Sequence, residues 1–105
     1  MANNADTPAI FSQEAEEAVI GSVLIAPHLF SVIAAQLQAD DFFVLRHRYI
    51  WEALTRMAGR GEPADFLTVQ EDLKAAGKLA DVGGASYLLN LINNTPTSVN
   101  AEVYA

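Results

Sequence analysis

Cysteine is absent from this chain, so disulfides, thiolate-held metals and a cysteine nucleophile are excluded at the outset. Basic residues are scarce: 6 lysines and arginines face 13 acids, for a formal net charge of −7. A protein that binds nucleic acid on its own ordinarily needs a basic face to displace counterions, so this balance argues against that role. Long apolar runs are missing as well. The nearest, Ala18 to Pro27, is interrupted by Gly21 and Ser22 and is far too short to span a bilayer. The opening residues Met1 to Asp6 have neither the positive region nor the apolar core of a signal peptide. A soluble, cytoplasmic protein with no membrane partner is the expectation.

Motifs for chemistry are equally thin. His28 and His47 have no second histidine four residues on and no HExxH context, which speaks against a metal site. His47 reads instead as a structural histidine bonded to a neighbouring carbonyl or carboxylate. Gly83-Gly84 fits neither GxGxxG nor GxxxxGK[ST] and reads as a turn. No Gly-x-Ser-x-Gly elbow and no Ser/His/Asp constellation is present. No catalytic residue, bound cofactor or metal ligand is therefore expected within these residues.

What the chain does have is apolar content at helical spacing. Apolar residues make up 51% of the 105 positions, enough for one core without staples. Ile50, Trp51, Leu54, Met57 and Ala58 share one helical stripe, with the only tryptophan among them. This predicts a central helix, entered through Asp40-Asp41-Phe42-Phe43 and closed by Gly59-Arg60-Gly61. Ahead of it, Ser12 is a good N-cap for a first helix whose early acids, Glu14, Glu16 and Glu17, suit the helix dipole. Gly21 inside that helix costs roughly 1 kcal/mol against alanine, which suggests a second helix crossing close by. Leu29, Phe30, Ile33, Ala34 and Leu37 give a second helix. Asp65 caps a fourth over Phe66 to about Ala76, with Phe66, Val69, Leu73 and Ala76 inward and Gly77 as its stop. Asp81-Val82-Gly83-Gly84 reads as a tight connection. Ala85, Leu88, Leu89 and Ile92 define a fifth helix that Asn93-Asn94-Thr95-Pro96 breaks.

The predicted fold is all-α: a small orthogonal bundle of five helices over residues 12–96, plus the start of a sixth at 97–105 that is expected to be cut short at Ala105. Residues 1–11 are expected to form a disordered or loosely attached arm, in which Ile10 and Phe11 could tuck back onto the core. Two side chains fall off the buried stripes. Tyr87 points towards the flank of the fifth helix or solvent, and Tyr104 lies on the last one. Exposed aromatics are candidates for protein contact, so both are candidate partner-binding residues. Arg46, Arg48, Arg56 and Arg60 cluster around the central helix, where pairing with the abundant acids is the expectation.

Seven segments now occur in an ordered pattern: Glu14-Ala15-Glu16, Val19-Ile20-Gly21, Asp41-Phe42-Phe43, His47-Arg48-x-Ile50, Gly61-x-Pro63-x-Asp65-x-x-Thr68, Leu79-x-x-Val82-Gly83-Gly84-x-x-Tyr87-Leu88 and Thr95-Pro96-Thr97. From about residue 14 to 105 the chain resembles the N-terminal domain of the bacterial replicative DNA helicase, the DnaB family. Phe43 stands where that family commonly has tyrosine. The resemblance implies a helical collar domain that packs with its own copies on a homohexameric ring, followed by a helical hairpin, a linker and a RecA-like ATPase domain. It implies ATP and Mg as cofactors of that missing ATPase domain, and primase and a helicase loader as partners. Single-stranded DNA would be bound only through the full-length ring. Tyr87 and the adjoining flank of the fifth helix are the expected primase contact. The alternative is a free-standing acidic helical adaptor or regulator, for which the source gene would stop soon after Ala105.

Overall fold

Local chemistry satisfies the ends of some of the helices, and packing from elsewhere supplies the rest. The structure, a computed structural model, describes residues 12–95. They form α1 (Gln13–Ile25), α2 (Leu29–Ala34), a 3₁₀ turn (Ala39–Asp41), α3 (Leu45–Gly59), α4 (Phe66–Ala75), α5 (Leu79–Val82) and α6 (Gly84–Asn93). The arm at 1–11 and the helix expected from Val99 lie outside the described residues. Ser12 is extended and its Oγ accepts from the Ala15 N–H at 3.0 Å, which caps α1. Asp65 and Thr68 form a reciprocal capping pair at the start of α4, each backbone N–H bonded to the other's side chain at 3.1 and 3.0 Å. α3 and α4 end alike. Gly61 and Gly77 take positive φ, and the next N–H reaches back to Met57 and Leu73 carbonyls at 2.9 Å.

The core is built around α3. Trp51 is 1% exposed and lies between Phe30 of α2 and Phe42, each ring centroid 4.9 Å away. Its indole N–H donates to the Leu37 carbonyl at 3.3 Å, so the one polar atom of the ring is satisfied by the segment between α2 and the 3₁₀ turn. Ile20 and Val23 from α1, Ile50, Leu54 and Met57 from α3, Val69 and Leu73 from α4, Val82 and Leu88 are all fully buried against it. Burial of each large aliphatic side chain is worth about 1.5–3 kcal/mol. The predicted all-α class holds, with no strand among the described residues.

Several expectations on packing are corrected. The stretch before Gly83 is not a bare connection: Leu79–Val82 makes one helical turn, α5, that buries Val82. Six helices thus occupy the region where five were expected. Ala58 and Ala76 are exposed rather than buried. On α6 the inward residues are Leu88 and Leu91, while Leu89 is exposed. The cause is visible at Gly21. There α6 crosses α1 so closely that a Cβ would lie 2.7 Å from the Leu91 carbonyl oxygen, with the Thr95 hydroxyl nearer still. Seating α6 on that glycine turns Leu91 inward and Leu89 out.

Candidate functional site

α3 begins without a cap of its own. Val44 stands at the N-cap position, no side chain of that segment bonds the helix start, and Phe42, Phe43 and Leu45 around it are all apolar. The missing acceptor comes from α1. Glu16, 0% exposed, accepts from the N–H of Phe43 at 2.6 Å through Oε2 and from the N–H of Val44 at 3.2 Å through Oε1. It does from another helix what the glutamate of a capping box does from its own, and its carboxylate sits at the positive end of the α3 dipole.

His47, one turn into α3 and also 0% exposed, completes the arrangement. Its Nδ1 lies 2.7 Å from Glu16 Oε1, and its Nε2 lies 2.5 Å from the hydroxyl of Tyr87 on α6. Burial pushes the Tyr87 phenol above its ordinary value, against the opposing influence of Arg46, so the hydroxyl keeps its proton. Nδ1–H donates to Glu16 in either protonation state of the imidazole. Nε2 accepts from the phenol when the ring is neutral and donates to it when charged. The imidazole and phenol rings stack at 5.9 Å, and the Arg46 guanidinium covers the phenol 4.3 Å from its centroid. A line of hydrogen bonds therefore runs from the entry of α3 through two buried side chains to the edge of α6.

Chemically this line is closed. Neither Glu16 nor His47 is accessible to a substrate, and among the described residues no group of three or more His, Cys, Asp or Glu could hold a metal ion. Its geometry suits holding and positioning. His47 is expected from the sequence to be structural and bonded to a carbonyl or a carboxylate, and the partner at Nδ1 is the Glu16 carboxylate. Tyr87 lies on the flank of α6, half-buried against the core, with its hydroxyl committed to His47. It also lines a polar cleft between α1 and α6 with Glu14, Glu17, Asn90, Asn94 and Thr95. Tyr104, the other sequence candidate, lies outside the described residues.

The arginine cluster meets the expected acids only in part, through Arg56 and Arg60, while Arg46 lies over the Tyr87 ring and Arg48 bonds a backbone carbonyl. Arg56 and Arg60 share Asp72, Arg60 also pairs with Glu62, and Arg48 Nε donates to the Phe42 carbonyl at 2.6 Å. His28 is exposed at the start of α2 and takes no part. Sequence reasoning missed Glu16, which it placed with the dipole-facing acids of α1. It also missed the exposure of Phe43 (77%) and Leu45 (56%), the corner that Glu16 secures.

The chain is similar to known proteins in sequence and in fold. The DnaB-like helicase N-terminal domain model matches residues 9–105. The chain is 42% identical over 94 residues to the replicative DNA helicase DnaB of Geobacillus stearothermophilus, covering 90% of this chain and 21% of that protein. It is 39% identical over 92 residues to the replicative DNA helicase DnaC of Bacillus subtilis, covering 88% of this chain and 20% of that protein. The chain thus spans about a fifth of the length of these relatives. The crystal structure of the N-terminal domain of DnaB helicase from Mycobacterium tuberculosis superposes with a TM-score of 0.83 at 36% identity, over 89% of this chain and 66% of that one. Matched over nearly all of its length in sequence and in fold, the chain belongs to the DnaB-like helicase N-terminal domain family.

Proposed function

We propose that this domain is the non-catalytic assembly and partner-docking domain of a hexameric, ATP-dependent replicative DNA helicase acting in the cytoplasm. It supports ring formation with copies of itself and recruits primase at the replication fork. A helicase loader, ATP, Mg and single-stranded DNA belong to the activity of the full-length ring. The observation that carries the reading is family membership along nearly the whole chain. The net charge of −7 supports a role in protein contact over direct DNA binding by the domain alone.

For primase we propose the Tyr87 edge of α6, where a half-buried aromatic ring stands beside the polar cleft and Leu89 is exposed on the same helix. Tyr104 is proposed as a second contact. The test is primase affinity by calorimetry for the Tyr87→Ala variant, with circular dichroism as a check on the fold. A loss of about tenfold or more is expected for a central aromatic contact. Unchanged affinity in a folded variant overturns the assignment of Tyr87.

A further inference from the structure

We propose that Glu16, His47 and Tyr87 form a relay that couples the Tyr87 edge of α6 to the Phe43–Leu45 corner at the entry of α3. Contact that fixes the Tyr87 hydroxyl fixes the corner, and its loss frees it. That a partner supplies such contact rests on the docking reading above; the coupling itself is a property of the domain alone.

Three features carry the inference. The first is continuity: the phenol, the imidazole, the carboxylate and the Phe43 and Val44 amides follow one another at 2.5, 2.7, 2.6 and 3.2 Å. The second is that the middle members are replaceable by nothing. Glu16 and His47 are both 0% exposed, so a lost partner is not exchanged for water, and a buried polar group without a partner is costly. Without the phenol, Nε2 of His47 is unpaired. The ring then gains from reorienting, and the 2.7 Å bond to Glu16 is what reorientation weakens. The third is the contrast at the far end. Phe43 is 77% exposed and Leu45 56%, so between the buried Phe42 and His47 these side chains add little packing of their own, and the Phe43 and Val44 N–H groups both bond to Glu16. A segment with few buried contacts and two amides on one side chain responds when that side chain moves.

Amide hydrogen exchange on the domain without any partner tests the relay. Tyr87→Phe keeps the ring over which Arg46 lies and removes only the hydroxyl. Exchange at Phe43 and Val44 is expected to quicken about fivefold, the equivalent of one hydrogen bond, while Val69 of α4 holds its wild-type rate. Unchanged rates at Phe43 and Val44 overturn the relay. So does equal acceleration in Leu89→Ala, an exposed α6 change that leaves the line intact. If Tyr87→Phe makes every core amide exchange together by global unfolding, the Phe43 and Val44 amide chemical shifts decide: displacement supports the coupling and unmoved resonances overturn it. The docking reading fails separately, through normal primase affinity in Tyr87→Ala.

Discussion

Replacing Glu16 by alanine should be among the most damaging single changes on α1, although an acid in the first turns of a helix is ordinarily a surface residue. The substitution strips an acceptor from three donors at once: the Phe43 N–H, the Val44 N–H and the His47 Nδ1–H. An unsatisfied buried donor costs about 1–3 kcal/mol. The two amides lie beside an exposed corner, so water can reach them and offset much of their loss, while the imidazole is fully enclosed. Alanine also gains a few tenths of a kcal/mol in helix propensity. The net loss comes to about 2–4 kcal/mol, a large share of the roughly 5–15 kcal/mol that holds a domain folded. In a domain of this size that lowers Tm by about 10–25 °C. Glu16→Gln keeps an acceptor oxygen for the Val44 and His47 donors but turns its amide group against the Phe43 N–H, so about half the loss is expected. Urea unfolding followed by circular dichroism should rank wild type above Glu16→Gln above Glu16→Ala. Glu14→Ala, exposed on the same helix, should stay within about 0.5 kcal/mol of wild type. A loss below about 1 kcal/mol for Glu16→Ala would refute the capping role assigned to this carboxylate.

Gly21→Ala sets helix propensity against sterics: alanine gains about 1 kcal/mol, but its Cβ would press on the Leu91 carbonyl and the Thr95 hydroxyl. We expect a net loss of about 1–3 kcal/mol in chemical unfolding, and a stabilised variant would show that α6 yields easily. Asp72 gives a pH signature. Partial burial pushes its carboxyl up, but the hydrogen bonds from Arg56 and Arg60 outweigh this and hold it below the ordinary aspartate value. Its stabilising contribution is therefore complete above that ordinary value, about pH 4, and is lost as pH falls through the lower folded one. Asp72→Asn should flatten the stability profile below about pH 4, by no more than about 1 kcal/mol because both arginines are partly exposed; an unchanged acid limb would exclude the pair as its source.

How much of this was legible depended on whether the cause lay near in sequence. Ser12, Asp65 and the glycines at 61 and 77 act within a few residues of themselves, so their turn and cap chemistry is readable in place. The α3 stripe through Ile50, Trp51, Leu54 and Met57 is equally local, because the spacing admits one inward face. α6 is different. Leu88, Leu89, Leu91 and Ile92 spread apolar surface around so much of the helix that several inward faces are consistent with it. Which face is buried is decided by α1, where Gly21 admits the Leu91 turn. Once α6 rotates to meet that gap, Leu89 is carried outward and the Tyr87 hydroxyl is brought to His47. The single turn of α5 escaped for a related reason: four residues before a Gly-Gly pair carry no period, and what keeps them helical is burial of Val82 in a core assembled from elsewhere.

The buried line itself joins residues 31 and 40 positions apart, a separation no local pattern spans. Yet one signal for it lay in the sequence. Phe42-Phe43-Val44-Leu45 leads straight into a strong helical stripe with no Ser, Thr, Asp or Asn at the boundary, and a helix entry so apolar needs an acceptor from outside. His47 follows within one turn, a side chain able to hold an incoming carboxylate by Nδ1 and still bond a third group by Nε2. The uncapped start and the histidine together call for an acid from another element. Which of the many acids answers is settled only by packing: α1 lies along α3, and Glu16, three residues ahead of Val19 and four ahead of Ile20 on the same inward face, is the one that packing carries inside. An acid on the apolar face of a helix, paired with an apolar helix start elsewhere, is thus a readable sign of a cap supplied across the fold.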